Sequence, residues 1–138
     1  MYAAQSYYFG RAMGDLNPIA DALVSQLEEA GISDLPRLSL IGTGLSGTLA
    51  VPSLARRLGS LWGIIRKESS PHDSRLFVGA IEDRWIFVDD FVSSGETMRR
   101  VQDVVSGLRT DDGCRYPTTY LGRFEYETGS YGLLRMAE

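Results

Sequence analysis

The stretch Trp85-Ile86-Phe87-Val88-Asp89-Asp90-Phe91-Val92-Ser93-Ser94-Gly95-Glu96-Thr97 decides the reading of this chain. Its apolar run, residues 85–88, suits a strand buried on both faces of a parallel sheet. Asp89 and Asp90 follow at the strand's end, where ligands bind in open α/β sheets. Small residues come next, with backbone amides able to wrap an anion. A helix begins near Glu96, and its dipole and unpaired N–H groups favour phosphate at that end. Two carboxylates repel a phosphate but accept hydrogen bonds from sugar hydroxyls. Acids for the sugar and amides for its phosphate together imply a ribose 5-phosphate ligand. The plainer alternative is a buried strand ending in a helix-capping turn, with Asp90 and Ser94 as caps.

Outward from this segment, strand and helix alternate. Asn17-Pro18 to Ala30 reads as an amphipathic helix, with Asn17 as cap, Pro18 at the first helical position and Ile19, Leu23 and Leu27 on one face. Gly31 ends it. A short strand, Leu38 to Ile41, leads into a glycine-rich turn, Gly42-Thr43-Gly44-Leu45-Ser46-Gly47. The next helix runs from about Gly47 through Leu58, and Pro52 fits poorly in its interior. Leu61 to Ile65 is a second strand, and residues 67–80 carry loop chemistry. Strand 85–88 and helix 96–109 follow, then a fourth strand, Tyr116 to Leu121. Tyr126 to Glu138 reads as a frayed end rather than a covering flap. This pattern predicts one α/β domain over residues 1–138, with a mainly parallel open sheet, flanking helices and right-handed crossovers.

The central segment resembles the phosphoribosyl-pyrophosphate (PRPP) signature of the type I phosphoribosyltransferases. The match runs through strand, acid pair, loop and helix start, which sets it above the capping-turn alternative. The resemblance implies that Asp89 and Asp90 hold the ribose hydroxyls. Val92, Ser93, Ser94, Gly95, Glu96 and Thr97 would form the 5-phosphate loop, the acidic side chain of Glu96 turned away. The glycine-rich turn, one strand-helix unit earlier, is similar to the family's pyrophosphate loop. Thr43, Gly44, Leu45, Ser46 and Gly47 would bind there, three glycines in six residues letting the backbone approach an anion.

Orotate phosphoribosyltransferases are the members most similar to this chain. Their order of Arg, Lys and Glu followed by a histidine matches Arg66, Lys67, Glu68 and His72. In those enzymes the segment is a mobile loop whose cations close over pyrophosphate, which assigns pyrophosphate binding to Arg66 and Lys67 and catalysis to Lys67 and His72. Ser70 stands where they carry a further lysine, and Asp73 where they carry glycine. Their Asp-Arg-x-Glu segment corresponds to Gly122-Arg123-Phe124-Glu125, so that Arg123 would bind the base. Only about 35 residues precede the first strand, which implies a reduced hood over the base.

The implied reaction moves ribose 5-phosphate from PRPP to a nitrogenous base, an orotate-like pyrimidine being favoured, with release of pyrophosphate. Mg²⁺ is the implied cofactor, held indirectly by Asp89 and Asp90 through ribose hydroxyls or water. The alternative, favoured by Ser70 and the short hood, is a non-catalytic PRPP- or nucleotide-binding regulatory module.

Composition narrows the remaining classes. Hydrophobic content of 43% and charged content of 23% are those of a globular chain. A net charge of -4 argues against a general nucleic-acid surface. The single cysteine, Cys114, excludes an internal disulfide and a Cys-based zinc finger. No stretch is long and apolar enough to span a membrane, and Met1 to Ser6 lacks a signal-peptide pattern, so a cytoplasmic protein is expected. The family analogy and the aromatic cluster Tyr2, Tyr7, Tyr8 and Phe9 suggest a homodimer.

Overall fold

The computed structural model describes residues 16–66, 75–89, 95–126 and 135–136. Six described strands form one sheet in the order β3-β2-β1-β4-β5-β6. They are β1 (Leu38–Thr43), β2 (Leu61–Ile65), β3 (Phe77–Gly79), β4 (Arg84–Asp89), β5 (Thr119–Glu125) and β6 (Arg135–Met136). The four central strands run parallel, and β3 and β6 pair antiparallel at the two edges. The described α-helices are α1 (Asn17–Glu29), α2 (Gly44–Leu58) and α3 (Gly95–Ser106).

The apolar pattern explains why the layers form. Leu38, Leu40, Ile86, Val88 and Phe124 point to one face, where α1 supplies Ile19, Leu23 and Leu27 and α2 supplies Val51, Leu54 and Ala55. Ile41, Ile65, Trp85 and Phe87 point to the other, against Val101 and Val105 of α3. Strands sandwiched this way are apolar on both sides, and β1 is buried along its whole length. The mainly parallel α/β sheet with flanking helices is therefore the observed architecture.

Several boundaries differ from the sequence expectation, each for a local reason. Leu16 takes the cap position of α1 and Asn17 is its first helical residue, with Pro18 in the first turn as expected. Gly31 and Gly59 follow α1 and α2 with left-handed φ of 76° and 73°. Helix α2 begins at Gly44 rather than Gly47 and runs through Pro52. Helix α3 stops at Ser106. The Gly107 amide still donates to the Asp103 carbonyl, but Leu108 already accepts from the Tyr116 amide in the following hairpin.

The last parallel strand starts at Thr119, beyond Pro117, which has no N–H to give a ladder. Residues 77–79, expected as loop, form β3 because Phe77 and Val78 pair with Ile65 and Ile64. Arg135–Met136, expected as frayed chain, pairs with Gly122 and Arg123. Strands of three and two residues are too short to leave a periodic signal.

Candidate functional site

Because β2, β1, β4 and β5 are parallel, their last residues Ile65, Thr43, Asp89 and Glu125 share one edge of the sheet. The chain winds from β1 outward through β2 and β3, then returns to place β4 on the opposite side of β1. The crevice between the ends of β1 and β4 is thus the topological switch point, the usual ligand position in such sheets. Helix α2 leaves directly from β1, and α3 follows β4 after residues 90–94. Two helix N-termini therefore flank this crevice.

At the first junction, no residue separates strand from helix. Gly44, at φ 73°, makes the turn that a side chain would strain. Thr43 precedes it in extended conformation (φ -147°, ψ 156°) and makes no side-chain cap. Its buried hydroxyl instead donates to the Ile65 carbonyl at 2.7 Å, tying the ends of β1 and β2 together. Gly42 and Gly47 serve packing, since a Cβ on Gly42 would lie 2.6 Å from Val51 Cγ2 and 3.2 Å from the Gly47 Cα. The first turn of α2, Gly44 to Gly47, thus presses on the strand it leaves. Its opening N–H groups lack intrahelical partners, and no acidic residue stands in that turn. That environment favours an anion.

At the second junction, Asp89 ends β4 half-buried, and its carbonyl accepts from the Tyr126 amide at 3.1 Å. Trp85 and Phe87 pack toward α3 while Ile86 and Val88 pack toward α1 and α2. Strand alternation therefore carries Asp89 on the α3 side. Gly95, Glu96 and Thr97 form the first turn of α3, with Glu96 and Thr97 exposed. Asp90, Val92, Ser93 and Ser94 lie outside the described residues, as do Lys67 and His72.

Strand β5 contributes through an irregularity. Trp85 pairs with Tyr120 but Ile86 pairs with Gly122, so Leu121 is an extra residue. Gly122 accommodates the bulge at φ 152°. The bulge reverses the alternation: Phe124 joins the α1 and α2 face, so Arg123 and Glu125 share the side of Asp89. Glu125 is the register partner of Asp89, and Arg123 Nε lies 3.7 Å from Glu125 Oε1. Arg123 is thus within the strand rather than beyond its end. Burial pushes the neighbouring Tyr120 phenol above its ordinary pKa, while the Arg123 charge acts in the opposite direction.

Arg66, just past β2, is held on several sides. Its amide donates to the Leu76 carbonyl at 2.7 Å and its Nη1 to the Arg75 carbonyl at 3.1 Å. Its own carbonyl accepts from Nη2 of Arg100, on α3. Sequence does not single out Arg100; only the tertiary contact marks it.

Among the described residues, no group of three His, Cys, Asp or Glu side chains is arranged to hold a metal ion. Asp89 and Glu125 are register partners on one face of the sheet, and their carboxylates are the kind of oxygen donor that Mg²⁺ takes. No helix among the described residues is long and apolar enough to cross a membrane.

No protein-family model matches the chain, and no curated protein matches it in sequence. Among solved structures, UMP synthase from Leishmania donovani aligns with a TM-score of 0.53 at 11% identity, over 86% of this chain and 26% of the synthase. The chain therefore spans only 26% of that relative's length. A purine phosphoribosyltransferase from Pyrococcus horikoshii Ot3 aligns at 20% identity over 78% of this chain and 72% of its own, with a TM-score of 0.41, too low to bear on the fold. The alignment with the synthase shows a shared fold, in line with the mainly parallel α/β architecture expected for a type I phosphoribosyltransferase.

Proposed function

We propose that the protein is a phosphoribosyltransferase, moving ribose 5-phosphate from PRPP to a nitrogenous base with release of pyrophosphate. An orotate-like pyrimidine is the favoured acceptor. The observation that carries this reading is the meeting of the Asp89 strand end with the N-terminus of α2 at the switch point of a phosphoribosyltransferase fold. Donors for pyrophosphate lie on one side of the crevice and acceptors for ribose hydroxyls on the other.

In this reading, the amides of Thr43 to Gly47 and the cations Arg66 and Lys67 bind pyrophosphate, with His72 beside them. Residues 92–97 bind the 5-phosphate. Asp89 and Asp90 accept from the ribose hydroxyls and stabilise positive charge that builds on the ring as the bond from C1 to pyrophosphate lengthens. Arg123, oriented by Glu125, meets the base. Asp89 and Asp90 would hold Mg²⁺ indirectly, through ribose hydroxyls or water, and the ion would supply positive charge against the departing pyrophosphate. The protein acts on small molecules, and a homodimer is the proposed assembly.

Replacing Asp89→Asn together with Asp90→Asn should lower PRPP turnover on the order of a thousandfold or more, with the fold unchanged by circular dichroism. Near-normal turnover in that variant refutes the assignment. Ser70, in place of a cation at the leaving group, favours a second reading, a regulatory module that binds PRPP without turning it over. Saturable PRPP binding by the wild-type chain, with no mononucleotide formed from any base, selects the second.

A further inference from the structure

We propose that Arg100 is a positioning residue that couples the two halves of the site, an inference that rests on the phosphoribosyltransferase reading above. Arg100 belongs to α3, the helix whose first turn, Gly95 to Thr97, faces the proposed 5-phosphate. Its guanidinium donates to the carbonyl of Arg66, the residue that follows β2. One part-buried side chain thus ties the helix of one phosphate subsite to the strand end of the other.

The chemistry suits that role. An arginine delivers a charge-assisted hydrogen bond through a rigid planar fork, so it fixes a carbonyl's position more narrowly than a flexible ammonium does. Arg66 is fastened on its other sides by its amide to Leu76 and its Nη1 to Arg75. The Arg100 bond supplies the tie from the helix layer, across the sheet edge. Thr43 braces the neighbouring Ile65 carbonyl from β1. The carbonyls of Ile65 and Arg66 are therefore gripped by side chains from two different elements, which fixes the backbone from which the Arg66 side chain leaves β2.

The test is calorimetric binding of pyrophosphate and, separately, of ribose 5-phosphate, each with Mg²⁺, to wild type, Arg100→Met and Arg100→Lys. Arg100→Met should weaken pyrophosphate binding about tenfold and leave ribose 5-phosphate within about twofold. Arg100→Lys should recover part of the loss, because an ammonium can still donate to the carbonyl. Equal weakening of both ligands, or none, overturns the positioning role while leaving the transferase reading intact. Wild-type protein that binds neither ligand overturns both. Should Arg100→Met fail to fold, as thermal melting would show, the Lys variant decides by the same selective loss of pyrophosphate.

Discussion

The two strand-to-helix junctions at the switch point are built on opposite principles. Between β1 and α2 no residue intervenes, two glycines press helix against strand, and the Thr43 hydroxyl donates to the neighbouring Ile65 carbonyl. Between β4 and α3, residues 90–94 intervene, and the strand ends in a half-buried acid. The first junction offers a rigid rim of backbone donors; the second has chain length and side-chain chemistry. Glycine richness therefore does not by itself mark a ligand loop. At Gly42 and Gly47 it records the close approach of two backbones, and the anion-favouring property comes from the helix start that this approach sets in place.

The difference can be broken most forcefully at Gly42. Gly42→Ala places a methyl group against Val51 and the Gly47 backbone, and overpacking of that kind costs about 1–3 kcal/mol. The loss should appear as a lower denaturant midpoint. Stability equal to wild type would show that the junction has room and that its glycines serve something other than packing.

Arg123→Ala probes the far side of the crevice. It removes the cation that the β5 bulge turns toward Asp89 and Glu125, and should raise KM for the base about tenfold with little change in KM for PRPP. A rise in PRPP KM instead would move Arg123 into the phosphate half of the site.

The smallest effect belongs to a region remote from both junctions. The Thr110 hydroxyl, and then the Cys114 amide, hold the exposed Asp112 carboxyl below its ordinary value of 3.8. The stability it contributes is complete above the unfolded value and disappears as pH falls through the lower folded one. Asp112→Asn should therefore flatten the acid limb of the stability profile slightly and leave both phosphate subsites unchanged. Altered PRPP binding in that variant would show that the hairpin communicates with the crevice.

The sequence made the architecture legible wherever a pattern had length. The run Trp85 to Val88 is buried on both faces because a doubly covered parallel strand demands apolar residues at every position, and Ile19, Leu23 and Leu27 line up because α1 is long enough to repeat. The edge strands were not legible, since two or three residues cannot show a period. Nor was the bulge at Leu121, which decides the face taken by Arg123: a one-residue shift reverses alternation without altering composition. Arg100 was hidden for a different reason, since its partner is a backbone carbonyl that any residue at position 66 would supply. Asp89 ends its strand, as the apolar run before it leads one to expect, whereas α2 begins three residues ahead of the expected Gly47. Lys67, His72, Asp90 and residues 92–94 lie outside the described residues, and their assignment rests on the resemblance.

The most direct measurement is Mg²⁺-dependent pyrophosphate release from PRPP by the wild-type chain across a panel of bases that includes orotate. Release that requires one base is expected, with the matching mononucleotide formed in equal amount. Neither release nor saturable binding of PRPP with any base would contradict the transferase and the binding module alike, leaving a phosphoribosyltransferase fold whose switch-point crevice serves a different ligand.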